Sequence, residues 1–246
     1  MEGNPSALQQ RFYDEHHSDS LVHRANRRRT QIAVKLLASI PTGKLLDIGC
    51  SDGSLTEMFR PFELHGIDIS PQAVRAARIK GVDARCADIA DGLPFNDASF
   101  DVVFAGETLE HTVRTDFFLC ECNRVLHADG HLLLTTPNVN SVASWLMMSM
   151  LNLPPYASAR YRSPHVRDFT TRLLKLALRN NGFATIKIHG TWLGLPWPAA
   201  VEWFFGPVEA ALAYGLPRIA AGLTVLARKV GPVRYDPAVE IQTTLV

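Results

Sequence analysis

The chain has 246 residues, of which 47% are hydrophobic and 20% are charged, and its formal net charge at pH 7 is +1. This composition is typical of a globular protein and excludes a disordered chain, and the small net charge gives no general attraction to nucleic acid or to anionic membranes. No stretch reaches about 18 uninterrupted apolar residues, so no membrane span is predicted.

Cysteine usage and the N-terminus indicate a cellular setting. The polar start of the sequence lacks the apolar core of a secretory signal. The cysteines form neither a disulfide framework nor a Cys-x-x-Cys metal pair. They are Cys50, Cys86, Cys120 and Cys122. We therefore expect a reducing, cytoplasmic environment.

The first predicted element is a helix over about residues 19–40, because Ile32, Leu36 and Ile40 recur at a spacing of four. Its first half carries a cluster of arginines. They are Arg24, Arg27, Arg28 and Arg29. This cluster is either a solvated basic face or a contact for an anionic substrate near the mouth of a site.

Strands and helices then alternate. Strands are predicted at 44–48, 64–68, 82–86, 100–105 and 130–136, with helices at 54–60, 71–80 and 115–126. After a further helix from Thr170 to Leu178, two more strands are predicted at 184–190 and 222–228. Such alternation predicts an α/β fold, with a mainly parallel sheet that helices cover on both faces.

The stretch Leu45–Leu55, with the sequence LLDIGCSDGSL, is the most informative motif. Two aliphatic residues and Asp47 end a buried strand, and Gly49 and Gly53 then frame a tight turn before a helix. A strand, glycine-rich turn and helix bring a ligand close to backbone amides at the helix N-terminus.

Two acids follow at similar intervals. Asp68 ends the second predicted strand and Asp88 follows the third, each about 20 residues beyond the previous acid, and an acid at the first of these places binds ribose hydroxyls in nucleotide-binding α/β proteins. Because ligands of such sheets lie beyond the carboxyl ends of the strands, we expect these carboxylates to line one site.

Together with Ser99–Glu107 and Arg124–Asn138, these segments resemble the class I S-adenosylmethionine (SAM)-dependent methyltransferases, whose first motif reads Asp-x-Gly-x-Gly-x-Gly. Ser51 stands where that family most often has its middle glycine. The resemblance implies a Rossmann-like, seven-stranded, mostly parallel sheet with helices on both faces and an antiparallel last strand. It also implies that SAM is the cofactor.

The resemblance assigns cofactor-binding positions residue by residue. Asp68, with Ile69 beside it, would hold the ribose, and Asp88 would meet the adenine amine while Ile89 packs on the ring. The residues that would shape the cofactor turn are Asp47, Gly49, Cys50, Ser51 and Gly53.

The segment Gly106–His111 reads Gly-Glu-Thr-Leu-Glu-His. If a helix starts near Glu107, then Glu107, Glu110 and His111 project toward one side. Two carboxylates and an imidazole can hold Mg²⁺, Mn²⁺ or Fe²⁺. Alternatively, His111 acts as a general base with Glu107 beside it, or these side chains are structural.

This Glu-x-x-Glu-His pattern resembles two methyltransferase groups: the ubiquinone-biosynthesis catechol O-methyltransferases and the small-RNA 3′-terminal 2′-O-methyltransferases. In both groups the corresponding positions bind a divalent metal, and the RNA enzymes add a later histidine. His165 lies in a comparable place in this sequence. The resemblance thus implies Glu107, Glu110, His111 and His165 as metal ligands.

The chain is accordingly divided into five parts. Residues 1–40 form an N-terminal cap helix, and residues 41–138 form the SAM-binding core. An acceptor-side insertion follows at 139–168. Residues 169–230 form the C-terminal part of the sheet, with an aromatic-rich insertion at 191–221, and residues 231–246 form a tail. The apolar insertions either bind a greasy or aromatic acceptor, contact a membrane surface through 191–221, or only cover the sheet.

The expected function is methyl transfer from SAM to an oxygen of a small, lipophilic or aromatic acceptor. RNA 2′-O-methylation is an alternative, although the sequence lacks a basic strip interleaved with aromatic residues, which disfavours nucleic acid as a partner. A non-catalytic, SAM-binding scaffold or regulatory protein is another. DNA-type N-methylation is disfavoured because Ala105–Thr108 lacks the Asn/Asp-Pro-Pro-aromatic motif.

Overall fold

A computed structural model describes residues 20–153, 165–194, 199–233 and 236. The strands are β1 (Lys44–Ile48), β2 (Glu63–Asp68), β3 (Asp83–Cys86), β4 (Phe100–Gly106), β5 (Leu126–Pro137), β6 (Phe183–Gly190) and β7 (Gly222–Lys229). The α-helices are α1 (Ser20–Leu37), α2 (Pro71–Ile79), α3 (Thr115–Val125), α4 (Val142–Leu151), α5 (Thr171–Asn180) and α6 (Ala199–Gly215).

The strands form one seven-stranded sheet in the order β3-β2-β1-β4-β5-β7-β6. Strands β1 to β5 pair in parallel, whereas β7 is antiparallel to both of its neighbours. The predicted Rossmann-like fold, with its antiparallel last strand, is therefore confirmed.

Two apolar layers cover the sheet, one on each face. Leu133 belongs to the cluster that includes Leu36 of α1. Its neighbours Leu132 and Leu134 belong to the cluster that includes Leu174 of α5. Because successive strand residues point to opposite faces, β5 contributes to both layers. This alternation also determines which face receives the polar side chains at the end of β5.

Some element bounds differ from the sequence predictions. The helix predicted at 54–60 is a four-residue 3-10 helix, Thr56–Phe59. Pro61 follows closely, and the residue before a proline disfavours helical conformation, so this turn cannot extend. The strand predicted to start at residue 130 begins at Leu126.

The insertions contain helices that the sequence reading did not predict. In 139–168, Ser141 caps α4 by accepting a hydrogen bond from the Ser144 backbone N–H at 3.0 Å. In 191–221, α6 runs through Pro207, although proline normally interrupts helices. Predictions for 1–18, 154–164 and the end of the tail lie outside the described residues.

Within the parts of the chain that the structure describes, no helix is both long and apolar enough to cross a membrane.

Candidate active site

The glycine-rich turn after β1 adopts the conformation that its sequence predicts. Gly49, Ser51 and Gly53 have φ angles of 80°, 48° and 77°. A side chain at Gly53 would place its Cβ 3.0 Å from the Cα of Ala77, so only glycine fits there. The Gly49 backbone N–H donates to the Ile67 carbonyl oxygen at 2.8 Å, which ties the turn to β2.

Asp68 lies at the end of β2, directly beside this turn. One carboxylate oxygen accepts a hydrogen bond from the Ser51 backbone N–H at 2.9 Å. The other accepts from the Ser70 backbone N–H, also at 2.9 Å. Ile69, half-buried next to it, keeps its carbonyl oxygen 3.5 Å from the Cys86 thiol. The structure therefore brings Asp68 and the turn together, as the sequence predicted.

Lys80, the residue that follows α2, holds the same turn through a contact that the sequence did not predict. The Lys80 ammonium lies 2.6 Å from the Asp52 carboxylate and is hydrogen-bonded to the Ser54 hydroxyl. Burial alone would raise the pKa of Asp52, but these bonds outweigh it and hold the pKa below its ordinary value. Asp52 therefore stays ionised and keeps its bond to Lys80.

Asp47 is buried at 2% exposure, and the Thr56 hydroxyl donates a 2.6 Å hydrogen bond to it. Burial raises the pKa of Asp47 to about 7; the Thr56 bond opposes this rise and the charge of Asp68 adds to it. Burial also raises the pKa of the neighbouring Cys50 thiol. Cys50 is thus a packing residue of the turn and is not activated as a nucleophile.

Asp88 follows β3 and caps a short 3-10 helix, Ile89–Asp91. Its carboxylate accepts a hydrogen bond from the Ala90 backbone N–H at 2.9 Å. Ile89 is partly buried against the core cluster on the α5 face. These positions are compatible with the predicted adenine contacts, which stay predictions.

A helix that starts near Glu107, the condition for Glu107, Glu110 and His111 to project toward one side, is absent. Glu107 has a φ of 53°, a left-handed value that no helix accommodates, and the only helical turn here is the 3-10 segment Leu109–His111. The Glu107 carboxylate forms an ion pair with Arg29 of α1 and accepts a 3.0 Å hydrogen bond from the Thr135 hydroxyl.

Glu110 is buried, with an exposure of 2%. The Thr136 hydroxyl donates to one of its carboxylate oxygens at 3.1 Å. The other oxygen, Oε1, has no hydrogen-bond partner among the described residues. Burial, together with the nearby charge of Glu107, raises the pKa of Glu110 above its ordinary value.

Two histidines complete this group. The rings of His111 and His165 meet edge to face, with centroids 5.0 Å apart. One carboxylate oxygen of Glu110 and one ring nitrogen of each histidine lie within 4.8 Å of one another. Burial lowers the pKa of His165, which favours its neutral form. The segment after His165 is held because the Val166 backbone N–H donates to the Glu110 carbonyl oxygen at 2.9 Å.

The predicted metal ligands are thus brought together in part. Glu110, His111 and His165 converge, whereas Glu107 is not a member of the group. Arg29, which one interpretation placed on a solvated face, has a side chain only 13% exposed and pairs with Glu107. Their separation of 78 residues left no local signal for this contact.

Sequence comparison identifies the core of the chain. The profile of the family described as "Methyltransferase domain" matches residues 46–134, which hold every predicted cofactor position. Residues 46–134 of the chain thus match a methyltransferase domain. His165 lies beyond the matched segment.

Two curated relatives of this methyltransferase domain are ubiquinone biosynthesis O-methyltransferases. The protein from Idiomarina loihiensis is 30% identical over 150 residues, covering 58% of this chain and 61% of the relative. The protein from Xanthomonas oryzae pv. oryzae is 30% identical over 141 residues, covering 54% and 59%. The chain therefore spans about three fifths of the length of these relatives.

Solved structures share the fold of the methyltransferase domain. A SAM-dependent methyltransferase from Thermotoga maritima, named as a possible histamine N-methyltransferase, has a TM-score of 0.67 at 21% identity and covers 92% of this chain and 100% of its own. The [4+2]-cyclase SpnF has a TM-score of 0.55 at 23% identity, covering 81% and 82%. Since one of these proteins is named as a cyclase, the fold alone does not determine the reaction.

Asp47 should make the stability of this domain depend on pH. Between its ordinary pKa of 3.8 and about 7, the unfolded chain has lost the Asp47 proton while the folded chain keeps it. Stability therefore falls as pH rises through this window. Asp47→Asn should remove the part of this loss of stability that comes from the Asp47 carboxyl group. Calorimetric melting temperatures measured from about pH 4 to pH 8 should show the variant declining less than the wild type. Parallel curves would contradict a raised pKa at Asp47.

Proposed function

We propose that the protein transfers a methyl group from SAM to a hydroxyl oxygen of a small, lipophilic or aromatic acceptor. The observation that carries this proposal is the arrangement at one edge of the sheet. The turn and Asp68 lie at the ends of β1 and β2. Glu110 and His111 follow β4, the direct neighbour of β1, and His165 joins them from the segment before α5. The names of the curated relatives support oxygen as the methylated atom.

The chain's own residues would bind and orient the cofactor. The glycines of the turn would let the cofactor approach the backbone closely. Asp68, whose carboxylate already accepts two backbone N–H groups, would be held ready for the ribose hydroxyls. Lys80 keeps the turn in place through Asp52. Bound SAM would supply an activated methyl group, so the protein's main tasks are alignment and the exclusion of water.

The histidines on the acceptor side of the site would take up the proton of the acceptor hydroxyl. His111 and His165 lie in contact, and burial favours the neutral form of His165, in which one ring nitrogen can accept a proton. We assign His111 as the base or orienting group for the acceptor hydroxyl. We reassign Glu107 from direct catalysis to support of the site, because its carboxylate is bound to Arg29 and Thr135.

The same group fits a divalent cation. Its donor set is one carboxylate oxygen and two imidazole nitrogens, and an oxygen of Glu110 is buried without a hydrogen-bond partner among the described residues. Two imidazoles and one carboxylate suit Fe²⁺ or Mn²⁺ better than Mg²⁺. Glu110, His111 and His165 would hold the ion. A cation there would lower the pKa of an acceptor hydroxyl.

A lipophilic acceptor is supported by apolar side chains on both insertions. On α4, Trp145 is 65% and Met150 75% exposed. On α6, Val208, Leu212 and the following Leu216 are exposed at a spacing of four. Since monomeric proteins rarely leave such side chains clustered on the surface, we propose that the 191–221 insertion, with α4, contacts the acceptor or the lipid in which it dissolves.

Transfer of a radiolabelled methyl group from SAM into host-cell extract tests the function. We expect label in the organic-soluble fraction, because the apolar insertions favour a greasy acceptor. Label in RNA would contradict the proposed acceptor in favour of RNA 2′-O-methylation. SAM binding with no label in any fraction would instead favour a non-catalytic scaffold.

The same assay with EDTA tests the cation. Loss of transfer that Mn²⁺ or Fe²⁺ restores would support the proposed ligands. Undiminished methyl transfer in EDTA would contradict a bound cation, and His111 would then be the proposed proton acceptor.

His111→Ala should separate acceptor chemistry from cofactor binding. Because His111 lies on the acceptor side, turnover should fall by about 10²-fold or more, the scale of general-base catalysis, while the calorimetric affinity for SAM stays unchanged. His127→Ala, at an exposed position on β5, is the matched control. If His111→Ala weakened SAM binding as much as turnover, its role would be structural.

A further inference from the structure

Two consecutive threonines near the carboxyl end of β5 point to opposite faces of the sheet. Leu133 lies in the apolar layer under α1, and Leu134 lies in the layer under α5. Since side chains alternate along a strand, Thr135 faces the α1 side and Thr136 faces the α5 side. Both threonines are buried.

Thr135 binds Glu107 at both its backbone and its side chain. The Glu107 backbone N–H donates to the Thr135 carbonyl oxygen at 3.0 Å and to the Thr135 hydroxyl oxygen at 3.1 Å. The same hydroxyl donates to the Glu107 carboxylate at 3.0 Å. These contacts hold Glu107 at its positive φ, a conformation that is strained for a residue with a side chain.

The other carboxylate oxygen of Glu107 pairs with Arg29 of α1. The next contact along α1 joins the Arg28 guanidinium to the Gly206 carbonyl oxygen of α6 at 3.0 Å. The Glu107 carboxylate therefore lies between the end of β5 and the helix that covers this face. Its bonds to Thr135 and Arg29 link the two elements.

Thr136 makes the corresponding contact on the opposite face. Its hydroxyl donates to the Glu110 carboxylate at 3.1 Å. The Glu110 carbonyl oxygen accepts backbone N–H groups from Val166 at 2.9 Å and Arg167 at 3.2 Å. Glu110 thereby holds the segment that carries His165.

We propose that Thr135 and Thr136 are positioning residues that give the two carboxylates separate tasks. Thr135 holds Glu107 as the anchor of α1, and Thr136 holds Glu110 in the acceptor group with His111 and His165. The acceptor half rests on the proposed function, whereas the anchoring half does not depend on it.

Backbone amide hydrogen exchange of the whole chain tests the roles of both Thr135 and Thr136 without any substrate. Thr135→Val removes the hydroxyl, so exchange in the α1 turn around Arg28 and Arg29 should rise about fivefold, as expected for a loss near the lower end of single-interaction effects. Exchange at Val166 and Arg167 should stay unchanged. Thr136→Val should instead raise exchange at Val166 and Arg167 and leave exchange in the α1 turn unchanged.

Serine is the matched control at each position, because Thr135→Ser and Thr136→Ser keep the hydroxyl and should exchange like the wild type. Glu107→Ala and Glu110→Ala, which remove the acceptor of each hydrogen bond, should reproduce the two patterns even if a valine variant fails to fold. If both valine variants loosened the same segment, or if serine behaved as valine does, the proposal would be overturned.

Methyl transfer into the organic-soluble extract adds a second readout. Thr136→Val should lower turnover with SAM affinity unchanged, and Thr136→Ser should restore turnover. A Thr136→Val variant with wild-type turnover would overturn the acceptor half. If the wild-type protein transfers no methyl group, the proposed function fails, and the exchange patterns alone decide whether the threonines position the two carboxylates.

Discussion

Parallel pairing of β2, β1, β4 and β5 is the constraint on which the site depends, since it brings four strand ends to one edge of the sheet. Asp68 ends β2, the glycine-rich turn follows β1, and the Glu110 group follows β4. None of these segments is close to the next in sequence. A cofactor site and an acceptor site can adjoin only because the strands run in the same direction.

The environments of Glu107 and Glu110 differ although only two residues separate them. Glu107 forms an ion pair with the Arg29 guanidinium and accepts a hydrogen bond from the Thr135 hydroxyl. Glu110 is buried and has a raised pKa, and it lies against two histidines. Neighbouring carboxylates whose environments diverge in this way are typical of sites where each has its own task. Strand alternation at Thr135 and Thr136 accounts for this divergence.

Local patterns predicted the conformation of the glycine-rich turn and the place of Asp68. Glycines that need positive φ and acids at strand ends are signals within a few residues, and both Gly49 and Asp68 lie where these signals placed them. The acceptor half was harder to predict. The interpretation of the Glu-x-x-Glu-His spacing depended on a helix at Glu107, but Thr135 holds Glu107 in a left-handed conformation that no local pattern shows. The Arg29 contact likewise depends on how α1 packs on the sheet.

The most direct test of this account is the calorimetric affinity for SAM of Asp68→Asn beside Asp83→Asn. Asp83 is an exposed carboxylate at the opposite, amino-terminal end of the neighbouring strand β3, and its loss controls for a general change of charge. We expect Asp68→Asn to weaken SAM binding by roughly 1–3 kcal/mol, the scale of a lost hydrogen bond to a charged group, and Asp83→Asn to bind SAM like the wild type. Equal affinities for wild type and Asp68→Asn would contradict a cofactor site at this edge of the sheet.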